Sequence, residues 1–170
     1  GPKKHVKKTL DYVEGLYQNW FLQTINTCWA NAIEDDLAKI GYVSEIHRQR
    51  DFYAKYVRPV TKKSRAFVII SDALRYEVAV ELNERLIRET KGTAKLDAVQ
   101  AMFPTITKVG MAALLPGFNM SMDSNMDVLL NGQHTRSTAE RQKVLCNANP
   151  NSVAIQATDL LNMTKEDRKS

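Results

Sequence analysis

Apolar residues recur at three- and four-residue intervals near the start of the chain: Val6, Leu10, Val13, Leu16, Tyr17, Trp20 and Phe21. That spacing marks one face of a helix over residues 5–21. A second helix is predicted over Leu22–Ile40, stopped by Gly41. A third, over Ile46–Val57, is predicted to end before Pro59, because the residue ahead of a proline is disfavoured in helical geometry. The polar "TKKSR" of residues 61–65 reads as a loop, so residues 1–65 form a helical preface.

The period then changes. Ala66–Ile70 is short, β-branched and wholly apolar, as suits a strand buried on both faces. Residues 73–90 predict a helix: Leu74, Val78, Leu82 and Leu86 repeat every four residues, and Glu81–Arg85 and Glu84–Arg88 can pair on its outer face. Lys95–Met102 predicts a second strand, Pro104 a turn, and Lys108–Leu115 a short helix stopped by Pro116-Gly117. Asp127–Leu130 followed by Asn131-Gly132 reads as strand and turn. Ser137–Cys146 reads as a helix with Ser137 and Glu140 in capping-box spacing, and Ser152–Ala157 as a further strand. Strand–helix alternation over residues 66–170 predicts an open, mostly parallel α/β sheet.

Composition alters this picture little. At 170 residues, 44% apolar and 25% charged, the chain has the make-up of a soluble protein with one domain and an appendage. No apolar run approaches the roughly 20 residues of a membrane span, and the N-terminus lacks a signal peptide's apolar middle. Gly1-Pro2 has the look of a protease scar, the mark of a piece of something longer. Cys28 and Cys146 match no metal-ligand spacing and read as free thiols of a cytoplasmic protein. Net charge is +5, and residues 1–65 carry the excess, with 12 Lys/Arg against 7 Asp/Glu. A basic face can attract nucleic acid, but these lysines are scattered as on an ordinary solvated helix surface.

Two places can carry chemistry. In open α/β sheets ligands bind beyond the carboxyl ends of strands, and Asp72 stands there, directly after Ala66–Ile70. The same residue is placed to cap the next helix. The second place is "FPTITKVGMAALLPG", residues 103–117, where two threonines precede a short helix. A threonine there is ordinarily a cap, yet the free amides of a helix start also welcome phosphate. A threonine hydroxyl needs a base or a metal to become a nucleophile, and Asp72 is a suitable metal ligand. Arg75 can reach a phosphate or remain an exposed surface charge. No GxGxxG or GxxxxGK[ST] phosphate loop occurs.

"FVIISDALRYEVAVEL" followed by "FPTITKVGMAALLPG" resembles the PglZ family of the BREX phage-defence systems. "YQNWFLQTINTCW", "QRDFYAKYVRP" and "VLLNGQHT" add to the resemblance, which covers nearly the whole chain. It implies an alkaline-phosphatase-like fold, a two-metal site with zinc as the usual metal, and a threonine nucleophile. By motif position it implies Asp72 as the metal ligand and Thr107 as the nucleophile, with Thr105 the alternative. It also implies other BREX proteins as partners, with DNA a candidate partner or substrate. The family takes its remaining Asp and His ligands from later strands, whereas this chain has only His5, His47 and His134, read as two surface histidines and a loop histidine. The chain is therefore expected to be the N-terminal part of the domain, inactive alone, holding zinc poorly and able to dimerise through an exposed sheet edge. The competing expectation is a scaffold that docks partners through Trp20, Trp29, Phe52, Tyr53 and Tyr56.

Overall fold

The computed structural model describes residues 2–164, with side chains from residue 5. The chain divides into two compact units, Gly1–Glu45 and Ile46–Ser170. Residues 46–65 pack with the later unit, although their sequence pattern continues the preface.

The first unit is a helical rod: α1 (Pro2–Leu16), a π-helical stretch (Tyr17–Leu22) and α2 (Gln23–Ile40). The Gly41 stop is as predicted. Gly41 takes φ 76°, and its amide bonds the Leu37 carbonyl, a left-handed helix end that glycine adopts without Cβ strain. The apolar residues of the predicted face lie in solvent, with Trp20 67% and Tyr17 54% exposed.

In the second unit a 3-10 turn (Gln49–Asp51) and a π turn (Tyr53–Val57) lead into α3 (Arg58–Thr61). The helical path does not end before Pro59. The proline sits in the first turn of α3, where a missing N–H leaves no bond unmade. Helix α4 is Tyr76–Glu89 and α5 is Thr107–Ala113. A three-stranded meander follows, β1 (Met120–Met122), β2 (Val128–Leu130) and β3 (Gln133–His134), and then α6 (Thr138–Ala148) and α7 (Ala157–Asn162).

The mostly parallel sheet is not what the described residues form: their sheet is antiparallel throughout, in the order β1-β2-β3. The segments predicted as strands at 66–70 and 95–102 take no regular structure and form no ladder, apart from one isolated parallel bridge, Arg48 to Gln100, and Ser152–Ala157 is not a strand either, Ala157 opening α7. A strand exists only by pairing, and 66–70 has no partner among the described residues. Its side chains are correspondingly open, with Ile69 92% and Phe67 81% exposed.

The core lies between α5, the meander and α6. Val109, Ala112, Leu115, Val128, Leu130 and Val144 bury together, with Met102, Met120 and Leu145 packed against them. Asn131 (φ 49°) and Gly132 (φ 80°) supply the left-handed pair that a tight hairpin between β2 and β3 requires. Below that turn the buried Thr135 hydroxyl donates to the Val128 carbonyl at 3.0 Å. No helix among the described residues is long and apolar enough to cross a membrane.

The predicted capping box at α6 forms. The Glu140 amide donates to Ser137 Oγ at 3.2 Å, and the Glu140 carboxylate accepts from the Ser137 amide at 3.2 Å. The same carboxylate accepts from the Arg136 guanidinium and amide, each at 2.8 Å. The Arg136 bond is the main reason that the Glu140 carboxyl falls from 4.5 to about 2. A carboxyl depressed by folding stabilises above its unfolded pKa and loses that contribution as pH falls through the folded one. Stability is therefore expected to drop between pH 4.5 and 2, and Glu140→Gln to flatten that part of the curve in urea titrations. An unchanged slope in the variant refutes the assignment.

Candidate active site

Asp72 follows the apolar 66–70 segment but does not cap the next helix. Ala73 takes a left-handed φ of 57° and delays α4 to Tyr76, so that Arg75 occupies the capping position. Asp72 Oδ1 instead accepts the Ala73 amide at 3.0 Å.

Thr107 is the first residue of α5. Ile106 is the cap residue, extended at φ −105° and ψ 150°, and no side chain caps the helix. Ile106 O accepts the Val109 and Gly110 amides, both at 3.0 Å, which anchors the first turn. The Thr107 hydroxyl, relieved of a capping role, donates to Asp72 Oδ2 at 3.1 Å across 35 residues of sequence. Both side chains are exposed, so a substrate can reach them.

Thr105 is exposed and its hydroxyl makes no hydrogen bond among the described residues. Arg75 is exposed too. Its carbonyl starts α4, accepting from Val78 and Ala79, and nothing ties its guanidinium to Asp72 or Thr107. The structure thus brings two of the four singled-out residues together.

The pair fits half of a metal site. Two oxygens on one ion, each about 2.1 Å from it, stand about 3.0–3.4 Å apart. The Asp72–Thr107 separation lies in that range. Zinc takes three or four protein ligands, and Asp72 belongs to no group of three or more Asp, Glu, His or Cys side chains among the described residues.

One such group does exist, on the meander. Asp123, Asp127 and His134 place ligand atoms within 4.8 Å of one another, and the buried His134 Nδ1 has no hydrogen-bond partner. The loop histidine of the sequence reading thus stands on β3 beside two carboxylates. Two fixed cations already meet the Asp127 charge. Lys108 Nζ and Arg136 NH1 lie 3.7 and 3.6 Å from the Asp127 carboxylate, and His134 Nδ1 lies 3.9 Å from Asp123. The Asp127 amide, first among its partners, holds the Asp123 carboxyl below the usual carboxylate value.

Sequence reasoning assigned no role to Gln49 and Arg50, which touch the segment that carries Thr107. Gln49 Oε1 accepts the Met102 amide at 3.2 Å, and the Arg50 guanidinium donates to the Leu115 and Gly117 carbonyls. These contacts span 53 to 67 residues, so no local pattern announces them.

Residues 52–170 match the BREX system PglZ alkaline phosphatase-like domain. The chain is 37% identical over 157 residues to the alkaline phosphatase-like protein PglZ of Bacillus cereus (strain H3081.97), covering 92% of this chain and 18% of that protein. It is 34% identical over 168 residues to the alkaline phosphatase-like protein BrxZ of Escherichia coli O9:H4 (strain HS), covering 95% and 19%. The chain thus spans about a fifth of the length of these relatives. No solved structure gives a significant match. With residues 52–170, more than half of its length, matched by the family model, the chain belongs to the PglZ family of alkaline phosphatase-like proteins of BREX systems.

Proposed function

We propose that this chain carries the nucleophile and one metal ligand of a metal-dependent phosphohydrolase that acts on phosphomonoesters, phosphodiesters or nucleic acid in a BREX defence system. The observation that carries the reading is the Thr107–Asp72 hydrogen bond, made by two exposed polar groups that serve no helix cap. Asp72 accepts the hydroxyl hydrogen and so fixes the direction of the Thr107 Oγ lone pairs. As the hydroxyl proton passes to water, Oγ attacks phosphorus, the ester P–O bond breaks, and the leaving oxygen takes a proton from water. Water then cleaves the phosphothreonine. Asp72 and Thr107 would hold one divalent metal, zinc in this reading, which lowers the hydroxyl pKa and neutralises phosphoryl oxygens. Arg75, one helix-start away, takes the substrate phosphate. Further ligands, and parallel strands pairing with the apolar 66–70 segment, come from the rest of a longer polypeptide.

The test uses full-length protein with p-nitrophenyl phosphate and bis(p-nitrophenyl) phosphate. Asp72→Ala and chelation with EDTA are each expected to lower hydrolysis by about 100-fold or more, with activity restored to the chelated wild type by added zinc. Full activity in Asp72→Ala refutes the reading.

A second reading rests on the solvent-facing stripe of Val13, Leu16, Tyr17, Trp20 and Phe21. Exposed aromatics on this scale mark docking surfaces, and here the chain would scaffold other BREX proteins. In that case Trp20→Ala disrupts assembly whereas Thr107→Ala and Asp72→Ala do not.

A further inference from the structure

The segment ahead of the matched domain grips the part of the chain that presents Thr107. The Gln49 amide donates to the Gln100 carbonyl at 2.9 Å, and the Gln100 amide returns to the His47 carbonyl at 2.8 Å. This backbone exchange sets residues 46–51 alongside the approach to α5. Gln49 then reaches further with both side-chain atoms. Oε1 accepts the Met102 amide at 3.2 Å, and Nε2 lies so close to Gly110 that a Cβ there would meet it at 3.4 Å. Arg50 holds the far end, with NH1 donating to Leu115 O at 3.0 Å and NH2 to Gly117 O. Two adjacent side chains thus touch the entry, the middle and the exit of residues 102–117, and Thr107 lies between them. Both residues fall outside the matched stretch 52–170.

We infer that Gln49 and Arg50 are positioning residues for Thr107: they set how far along and at what tilt α5 lies, and so whether its hydroxyl meets Asp72 Oδ2. The inference rests on the reading of Thr107 as nucleophile. The core does not do this alone. It buries Val109 and Ala112 on α5 and Leu115 just beyond its end, and apolar contact resists sliding less than directed hydrogen bonds do. Arg50 is suited to its end because one planar guanidinium reaches two carbonyls at once, which a lysine ammonium cannot do in the same geometry.

The experiment compares wild type, Gln49→Leu, Gln49→Glu, Arg50→Lys and Thr107→Ala as full-length proteins, using bis(p-nitrophenyl) phosphate turnover and amide hydrogen exchange. A misplacement of about 1 Å costs about 100-fold in rate. Gln49→Leu and Arg50→Lys are therefore expected to lower kcat by about 10- to 100-fold with KM little changed. Gln49→Glu keeps the acceptor for Met102 and recovers most of the rate. In Gln49→Leu the Met102, Val109 and Gly110 amides exchange faster, while the α6 amides of Glu140 and Arg141 are unaltered. Wild-type kcat in Gln49→Leu and Arg50→Lys beside an inactive Thr107→Ala overturns the inference and leaves the nucleophile standing. Thr107→Ala as active as wild type overturns the nucleophile, and exchange then decides alone whether the grip on α5 exists. Unaltered exchange at Met102 and through α5 refutes it.

Discussion

Replacing Thr107 with alanine is expected to lower phosphoester hydrolysis by the full-length protein at least about 1,000-fold, because loss of a covalent nucleophile leaves only the catalysis of binding and electrostatics. The fold should scarcely notice. Thr107 is exposed, caps nothing and gives up one solvent-facing hydrogen bond. Surface changes of that kind shift stability by about 0.5 kcal/mol or less. Thr107→Ser keeps the attacking oxygen and should keep a measurable fraction of the rate. Thr105→Ala should stay near wild type, since that hydroxyl stands away from the Asp72 bond. Steady-state kinetics with bis(p-nitrophenyl) phosphate and a melting curve for each variant check all three. A Thr107→Ala protein that melts normally and hydrolyses at the wild-type rate removes the nucleophile assignment.

How much of this was legible in the sequence depends on how far each cause reaches along the chain. Several signals spanning four residues or fewer hold in the structure, although the stop expected before Pro59 does not. Gly41 stops α2 because only a left-handed residue fits there, Asn131-Gly132 turns the hairpin, and Ser137 with Glu140 closes the capping box. Asp72 was misjudged as a cap for a local reason of another kind. Ala73 adopts φ 57°, a conformation that alanine seldom takes and that nothing in "SDAL" announces. The delayed helix start frees the carboxylate for Thr107. Strands 66–70 and 95–102 were expected on composition, which reports burial preference; a ladder needs partners that composition does not name. Conversely β1, a "MSM" stretch with little β preference, is a strand only because Val128–Leu130 pairs with it. The candidate site was legible for the same reason that it is chemically simple. A polar residue following an apolar run and a threonine at a helix start are visible one at a time. Their meeting across 35 residues came from the family resemblance, and the 3.1 Å contact comes from the coordinates. The hold of Gln49 and Arg50 on α5 had no sequence signal at all.

The largest loss of stability is expected at Leu130. Its side chain is 1% exposed, and it is the largest of the fully buried residues in the core between α5 and α6. Truncation to alanine deletes buried methyl groups and leaves a cavity, which together cost about 2–5 kcal/mol. Collapse into the space is resisted from several sides. Leu130 sits on the central strand, paired to Met120 on one side and Gln133 on the other, so its backbone cannot sink inward. Gly117 stands over it, with the site of an added Cβ 3.5 Å from Leu130 Cβ, and Arg50 pins that glycine by its carbonyl. The cost should therefore fall toward the upper end of the range. Val144→Ala, on α6 at the margin of the same core, removes less volume from a helix that can shift, and should cost about 1–2 kcal/mol. Urea unfolding followed by near-ultraviolet circular dichroism measures both. The two effects also differ in where they are felt. Leu130 contacts the end of the segment that presents Thr107, so Leu130→Ala should also slow hydrolysis under conditions where it remains folded, while Val144→Ala should not. A Leu130→Ala protein with wild-type stability shows that α5, the meander and α6 do not close on one core.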